Sequence, residues 1–396
     1  MQPMALLLIA AACLLTVPVA VFFIEVLAAS ILPQHRVLPQ QRSIAPNSSY
    51  SVAVLVPAHN ESVGSLPTLA DIRAQLRPTD RLLVIADNCT DDTSVVAATA
   101  GAEVINRHES RRIGKGYALA WGLRHLGANP PDIVIVIDAD CRLADGLVPQ
   151  LAATCALTGK PTQALYLLMA SENSNRVAEF AWRVKNWVRP LGLQALGLPC
   201  QLMGSGMAFP WHVMHAINLA SGSIVEDMKL TLDLGKAGYA PLFCSNVRVT
   251  SAFPVSVRGI QNQRRRWEQG HLGIIFTMVP RLLVAAIRQA NFPLLVLALD
   301  VAVPPLSLLA MLVAGVLVVA ASAILFGLPE IATFVSLGNV VIFTVGVMLC
   351  WLKCGREILP PRAVLFIAPY VIRKLPLYGR ILLQKTRLQW IRSERP

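Results

Sequence analysis

Three long apolar runs frame this chain, at residues 4–32, 301–327 and 331–352. A helix needs about 20 apolar residues to cross a hydrocarbon core, so each run predicts a membrane span. The first is too long for the core of a secretory signal, lacks a basic start and shows no small-residue cleavage pattern. Residues 1–33 therefore read as a retained transmembrane helix. Its one charge, Glu25, is expected near the interface or paired with a neighbouring helix. From 292 to 327 the apolar stretch exceeds one span, and Pro304 with Pro305 predicts a kink or an interfacial lead-in rather than two helices.

Between the first run and the later ones the pattern changes twice. Residues 34–50 turn polar, with Pro39, Pro46, Asn47 and Ser48, and read as a linker. Then short apolar strands (SVAVLV, RLLVIAD, AEVIN, IVIVIDAD) alternate with amphipathic stretches of helix length. That rhythm predicts an α/β domain with a mainly parallel, Rossmann-like sheet over 51–255. Sites in such sheets lie at the carboxyl ends of strands, and three of these strands run into the polar clusters PAHNES, DNCTDDT and DADCR. Residues 256–300 open with the basic, aromatic VRGIQNQRRRWEQGH and read as interfacial helices. Two spans are expected over 301–353. The tail 354–396 mixes Leu, Trp and Tyr with Lys and Arg, as a segment lying on the membrane surface does.

Composition agrees with a membrane protein: 55% of the 396 residues are hydrophobic. The net charge of +12 leaves nucleic acid, anionic lipid or a phosphorylated substrate as partners. Its placement decides among them. The amino terminus and the loop GLPE between the late spans hold no Lys or Arg, whereas the linker carries Arg36 and Arg42 and the tail carries Lys353, Arg356, Arg373, Lys374 and Arg380. All three spans then agree on one orientation, with the α/β domain and the carboxyl terminus in the cytosol, as in a bacterial inner membrane. The surplus charge is juxtamembrane, where it meets anionic lipid, and no nucleic-acid motif accompanies it. The 8 cysteines show no CxxC pair and no zinc spacing, which fits buried thiols in a reduced compartment.

The strand IVIVI ends in Asp138-Ala139-Asp140. Two carboxylates at the end of a buried strand repel one another and lose hydration unless a cation sits between them. A hard divalent ion, Mg²⁺ or Mn²⁺, suits all-oxygen ligation and is commonly shared with substrate phosphates. Other pieces follow the same order along the chain. Pro57, Asn60 and Glu61 close the first strand, and Asp87 closes the second, placed to accept hydrogen bonds from a base or ribose. Arg112 and Lys115 lie in a glycine-containing stretch suited to a diphosphate.

Taken together, DNCTDD, the DAD triplet, IVEDMKL and QNQRRRW resemble the family 2 glycosyltransferases of GT-A fold, in particular the membrane-embedded, cellulose-synthase-like group. The likeness covers about residues 51–267 and recurs in the WIRSER tail. It implies that Asp87 holds the uracil of a UDP-sugar and that Asp138 and Asp140 bind the diphosphate through Mg²⁺ or Mn²⁺, mainly via Asp140. It implies that Asp227 is the general base for the acceptor hydroxyl, with Glu226 as its supporting neighbour. Gln263, Arg266 and Trp267 would form a QxxRW motif beside the diphosphate and the acceptor, and Gly204, Ser205 and Gly206 would let the acceptor approach. Two positions depart from the family pattern: Ala86 stands where many members carry an Asp, and Val225 where a Thr is common. His271 is a further candidate metal ligand.

The function implied is an inverting, metal-dependent hexosyltransferase that moves a sugar from a UDP-sugar to a lipid-linked or polysaccharide acceptor at the cytosolic face. Three spans offer little wall for a polymer channel, which favours a lipid-linked acceptor. A processive synthase working as an oligomer or with a partner is the alternative within the class. Outside it, the rival is a non-catalytic nucleotide-binding subunit of an export complex, which would bind nucleotide without turnover. A transporter is disfavoured, since few polar groups apart from Asp300 lie near the spans and no repeat relates them.

Overall fold

In the computed structural model, the structure describes residues 2–33, 50–170, 176–220, 222–254, 256–362 and 367–383. The expected linker and the WIRSER tail fall outside these residues.

Eight strands form one sheet: β1 (Val52–Ala58), β2 (Arg81–Asp87), β3 (Glu103–Arg107), β4 (Ile133–Val136), β5 (Arg142–Leu143), β6 (Thr162–Met169), β7 (Met207–Pro210) and β8 (Leu242–Ala252). Their order is β3-β2-β1-β4-β7-β6-β8-β5. The four strands expected from the apolar rhythm lie side by side and parallel, with Ala53 opposite Arg81, Val52 opposite Ile133 and Leu83 opposite Glu103. In the second half β6 pairs parallel with β8, but β7 runs antiparallel to both β4 and β6 and β5 runs antiparallel to β8, so the sheet is mixed while remaining mostly parallel as expected. The chain winds from β1 out to β3 and then returns to place β4 on the other side of β1. The carboxyl ends of β1 and β4 therefore flank a topological switch point, where such sheets leave a crevice.

Alternate residues of the β-branched strands serve two cores. Val52, Val54, Ile133 and Ile135 face one apolar cluster, while Ala53, Leu55, Val134 and Val136 face another across the sheet. The first cluster continues through Val188 and Leu191 to Leu15, Phe22 and Val26 of the amino-terminal helix. The α/β domain is thus packed directly onto that apolar helix.

Three helices are long and apolar enough to cross a membrane: Pro3–Ile31, Leu306–Ile324 and Ile331–Gly355. The run from 292 to 327 is not one kinked helix. Helix Phe292–Ala302 stops, Val303 and Pro305 take extended backbone with ψ of 111° and 135°, and helix Leu306–Ile324 then starts afresh. The cause is local, because proline disfavours helical backbone at the preceding residue and cannot donate a helical hydrogen bond. A second break, of 43°, separates Gly259–Thr277 from Val279–Arg288, with Pro280 in the first turn of the latter.

Glu25 is paired, as one of the two expected alternatives had it. Arg189 donates from Nε to its carboxylate at 2.5 Å and from Nη2 to Asp300, whose other oxygen accepts from Gln201 Nε2 at 2.8 Å. The helix carrying Arg189, Arg189–Ala195, crosses the amino-terminal helix so closely that a Cβ at Gly192 would lie 1.8 Å from the Glu25 carbonyl oxygen. Gly192→Ala should therefore destabilise the protein by about 1–3 kcal/mol, read as a lower Tm in detergent. Gly315→Ala, on the exposed face of helix Leu306–Ile324 with nothing within 4 Å of the added methyl, should leave Tm unchanged or slightly raised. Equal Tm values for the two variants would refute the close crossing.

Candidate active site

The strand ends at the crevice are tied to one another by polar groups. Beyond β1 and β2, Asn60 and Asn88 take left-handed backbone, with φ of 55° and 54°, a region asparagine enters more readily than most residues. Thr90 N donates to Asn60 Oδ1 at 2.7 Å, and His59 Nδ1 donates to the Asp87 carbonyl at 2.6 Å, which locks the two loops together. The Asp87 carboxylate accepts from Arg107 and from Asn88 Nδ2 at 3.0 Å. Burial outweighs Arg107 there and holds the Asp87 carboxyl above its ordinary value.

The acidic pair after β4 has a positive partner within the protein. The Lys115 ammonium, at the start of helix Lys115–Leu126, pairs with Asp138 and donates to the Gly204 carbonyl at 2.7 Å. Burial pushes Lys115 down, but Asp138 and Glu226 outweigh it and hold the ammonium above its usual range. The Asp138 amide donates to Ser205 Oγ at 3.0 Å, and Ser251 Oγ donates to Asp140 at 2.6 Å. Among the described residues, Asp138, Asp140 and Cys141 form one group whose ligand atoms lie within 4.8 Å of one another. Cys141 is fully buried against Ser205 Oγ at 3.2 Å, and burial pushes its thiol up to about 12. The two carboxylates are thus the donors suited to a hard cation.

Glu226 and Asp227 open helix Glu226–Lys236. Asp227 Oδ1 accepts from the Met228 amide at 2.8 Å, as a carboxylate at a helix start does. Its Oδ2 lies 3.8 Å from the point a Cβ on Gly204 would occupy, an ordinary van der Waals separation, while the φ of 97° at Gly204 is one that side-chain-bearing residues rarely adopt. Burial, and then the charge of Asp227, raise Glu226 to about 7, so it holds a proton through much of the range in which an ordinary carboxyl is ionised.

The opposite wall is helix Val257–Thr277, capped by Ser256 Oγ, which accepts from the Gly259 amide at 2.9 Å. It presents Gln263, Arg266 and Trp267. The Trp267 ring meets Trp182 with centroids 4.9 Å apart. Gln263 is 2% exposed, and its Nε2 has no hydrogen-bond partner among the described residues. Burial lowers Arg266 from its ordinary value against the attraction of Glu226, Asp138 and Asp227.

One cavity of about 360 Å³ gathers most of the expected residues. Pro57, Glu61 and Asp87 line it from the first two strand ends, and Lys115, Asp138 and Asp140 from the next. Gly204, Glu226 and Asp227 face Gln263, Arg266 and Trp267 across it. Four assignments need correcting. Arg112 is exposed and does not line the cavity; its carbonyl accepts from Arg107. Ser205 is buried beneath the acidic turn, where its hydroxyl positions Asp138 instead of meeting an acceptor. Gly206 is a packing glycine, since a Cβ there would lie 2.8 Å from Val249 Cγ2. His271 lines the cavity but lies outside the acidic group; its Nε2 donates to the Val301 carbonyl at 2.8 Å, and burial pushes it down to about 3. Trp182 and Lys185 also line the cavity and were not anticipated. The alternating aromatic and cationic residues of WRVKNW were their only signal.

An acidic pair at the switch point of an α/β sheet, faced by a second acidic pair and a buried arginine, defines a glycosyltransferase of GT-A-like fold. The chain belongs to the family described as glycosyltransferase like family 2, which matches residues 46–270. It is similar to an uncharacterised glycosyltransferase of Mycobacterium tuberculosis, 41% identical over 103 residues, covering 26% of this chain and 43% of that protein. It is also similar to the glucosyl-3-phosphoglycerate synthase of the same organism, 34% identical over 106 residues, covering 24% of this chain and 31% of that one. The matched stretches thus span less than half the length of these curated relatives. Among solved structures, a mannosyltransferase from Pyrobaculum calidifontis, in complex with GDP-Man and Mn²⁺, shares the fold with a TM-score of 0.54 at 17% identity, covering 96% of this chain and 100% of that one.

Proposed function

We propose that this chain is an inverting membrane glycosyltransferase that takes a sugar from a UDP-sugar and transfers it to a lipid-linked acceptor at the cytosolic face, forming a β-glycosidic bond. The observation that carries this reading is the continuity of the cavity. The same space that holds Asp138, Asp140, Asp227 and Arg266 runs on to Phe22 of the first apolar helix and to the 303–306 stretch at the head of the second. Donor chemistry and a membrane-borne acceptor therefore fit one chamber. The domain division given above, with a catalytic unit over 51–255 and interfacial helices over 256–300, and the cytosolic orientation belong to the same proposal.

The residue roles belong to the same proposal. Asp87, with the strand-end loops, holds the nucleotide base. Asp140 and Asp138 hold Mg²⁺ or Mn²⁺, which when bound neutralises charge on the departing diphosphate. Lys115 and Arg266 supply fixed positive charge on either side, in a site where low hydration strengthens it. Asp227 takes the proton of the acceptor hydroxyl, and Gly204 leaves its Oδ2 uncovered. The paired rings of Trp182 and Trp267 offer an apolar face to a sugar.

Purified full-length protein in detergent should release UDP from at least one of a set of UDP-sugars in the presence of Mn²⁺ or Mg²⁺, and a chelator should bring the rate to background. Release unaffected by the chelator would refute the metal role. Nucleotide binding without any release would instead favour a regulatory subunit, and a ladder of long products on a gel would favour a processive synthase.

A further inference from the structure

The cations that line the cavity are not equivalent. Lys115 is held by Asp138, Arg189 by Glu25 and Asp300, and Lys374 by Glu268. Lys185 has no such partner: among the described residues its ammonium contacts only the Trp182 ring, 5.8 Å from the centroid. It lies on a π-helical turn, Val184–Val188, inserted between helices Arg176–Arg183 and Arg189–Ala195. Single π turns of this kind recur at functional sites because they re-aim one side chain at the expense of regular packing. Burial outweighs the pull of Asp227 and lowers Lys185 from its ordinary value, so an anion brought beside it would be bound at low screening.

Arg266 feels Glu226, Asp138 and Asp227, whereas the carboxylates that act on Lys185 are Asp227 and Asp300, and neither residue of the acidic pair after β4 is among them. The turn that bears it packs against the amino-terminal helix and against the turn Trp351–Gly355 that ends the third span. The same cavity carries the apolar side chains of Phe22, Val303, Pro304 and Leu306, alongside the polar His271 and Ser307. An ammonium with no carboxylate partner among the described residues, in a cavity with apolar lining, matches an amphiphile with an anionic head.

We propose that Lys185 is the recognition point for a phosphate carried by a lipid acceptor, whose chain lies along the wall between Phe22 and Leu306. This rests on the glycosyltransferase reading for the word acceptor, but the binding itself is testable without turnover. The full chain in nanodiscs of neutral lipid would be titrated with dodecyl phosphate, with dodecanol and with glycerol phosphate, and separately with UDP plus Mn²⁺. Wild type and Lys185→Arg should bind dodecyl phosphate within a few-fold of one another, and Lys185→Met should bind it about 10-fold or more weakly, all three with the same UDP affinity. Equal binding of dodecyl phosphate by Lys185→Met, or of dodecanol by wild type, would overturn the proposal. Glycerol phosphate bound as tightly as dodecyl phosphate would overturn the lipid source. Loss of UDP affinity in Lys185→Met would overturn it too, by placing this lysine on the donor. Failure to bind any phosphate while UDP and Mn²⁺ still bind would sink this inference alone and leave the glycosyltransferase reading standing.

Discussion

Asp227→Asn should lower sugar transfer by about 10²–10⁴-fold while leaving donor affinity and Tm near those of the unaltered protein. The substitution is close to isosteric, and Asn keeps an oxygen to accept from the Met228 amide that Asp227 Oδ1 engages at 2.8 Å. What it removes is the basicity of the oxygen that lies open above Gly204. The expected signature is a fall in kcat with little change in the KM for UDP-sugar, because proton removal from the acceptor belongs to the transition state and not to donor binding. Glu226→Gln serves as the contrast. Burial and the charge of Asp227 raise Glu226 well above an ordinary carboxyl, so it is only partly ionised near neutral pH and an amide there should cost less. A larger loss from Glu226→Gln than from Asp227→Asn would exchange the two roles.

Asp140→Asn is the second large effect. A metal's stabilisation of developing charge is worth several kcal/mol and each tenfold in rate takes about 1.4 kcal/mol, so kcat/KM should fall by about 10³-fold. Mn²⁺ affinity, measured by isothermal titration in the presence of UDP, should fall with it. Asn still accepts from Ser251 Oγ, so the local turn is kept. Asp138→Asn should behave differently in one respect: it also releases the Lys115 ammonium, which would then keep the Gly204 carbonyl as its hydrogen-bond acceptor among the described residues. If Asp140→Asn binds Mn²⁺ and turns over as the wild type does, the acidic pair is an ion-pair partner for Lys115 and not a metal site.

Much of the site could be read from order along the chain. Parallel strands of four to seven mostly apolar residues announce themselves by composition, and their carboxyl ends are where a crevice forms, so the positions of Asp87, Asp138 and Asp140 in the cavity are legible in the sequence. Direction was harder. Arg112, Ser205 and Gly206 stand within a residue or three of true cavity residues, but one side chain faces solvent, one faces into the sheet, and the last has no room for a side chain at all. Those outcomes depend on what packs behind the loop: Arg107 for the first, the Asp138 amide for the second, Val249 for the third. No neighbour in sequence reports them.

The break at Pro304 and Pro305 shows a similar limit from the other side. Proline guarantees an interruption, but whether the helix bends or ends depends on what receives the freed backbone. Here the extended residues form part of the cavity wall, and the His271 imidazole takes the Val301 carbonyl.

From its residues alone the chain determined the long apolar helices, the strands of the first half of the sheet, and the acidic and basic clusters at the strand ends. Each of these is a local property, set by hydrophobic periodicity or by the chemistry of neighbours a few positions apart. The tertiary structure alone decided that β7 turns antiparallel, that Glu25 and Asp300 share Arg189, and that Lys185 lines the cavity with no ion-pair partner among the described residues. These depend on contacts between segments about 40 or more residues apart, where burial and pairing energies, and not local propensity, select which groups meet.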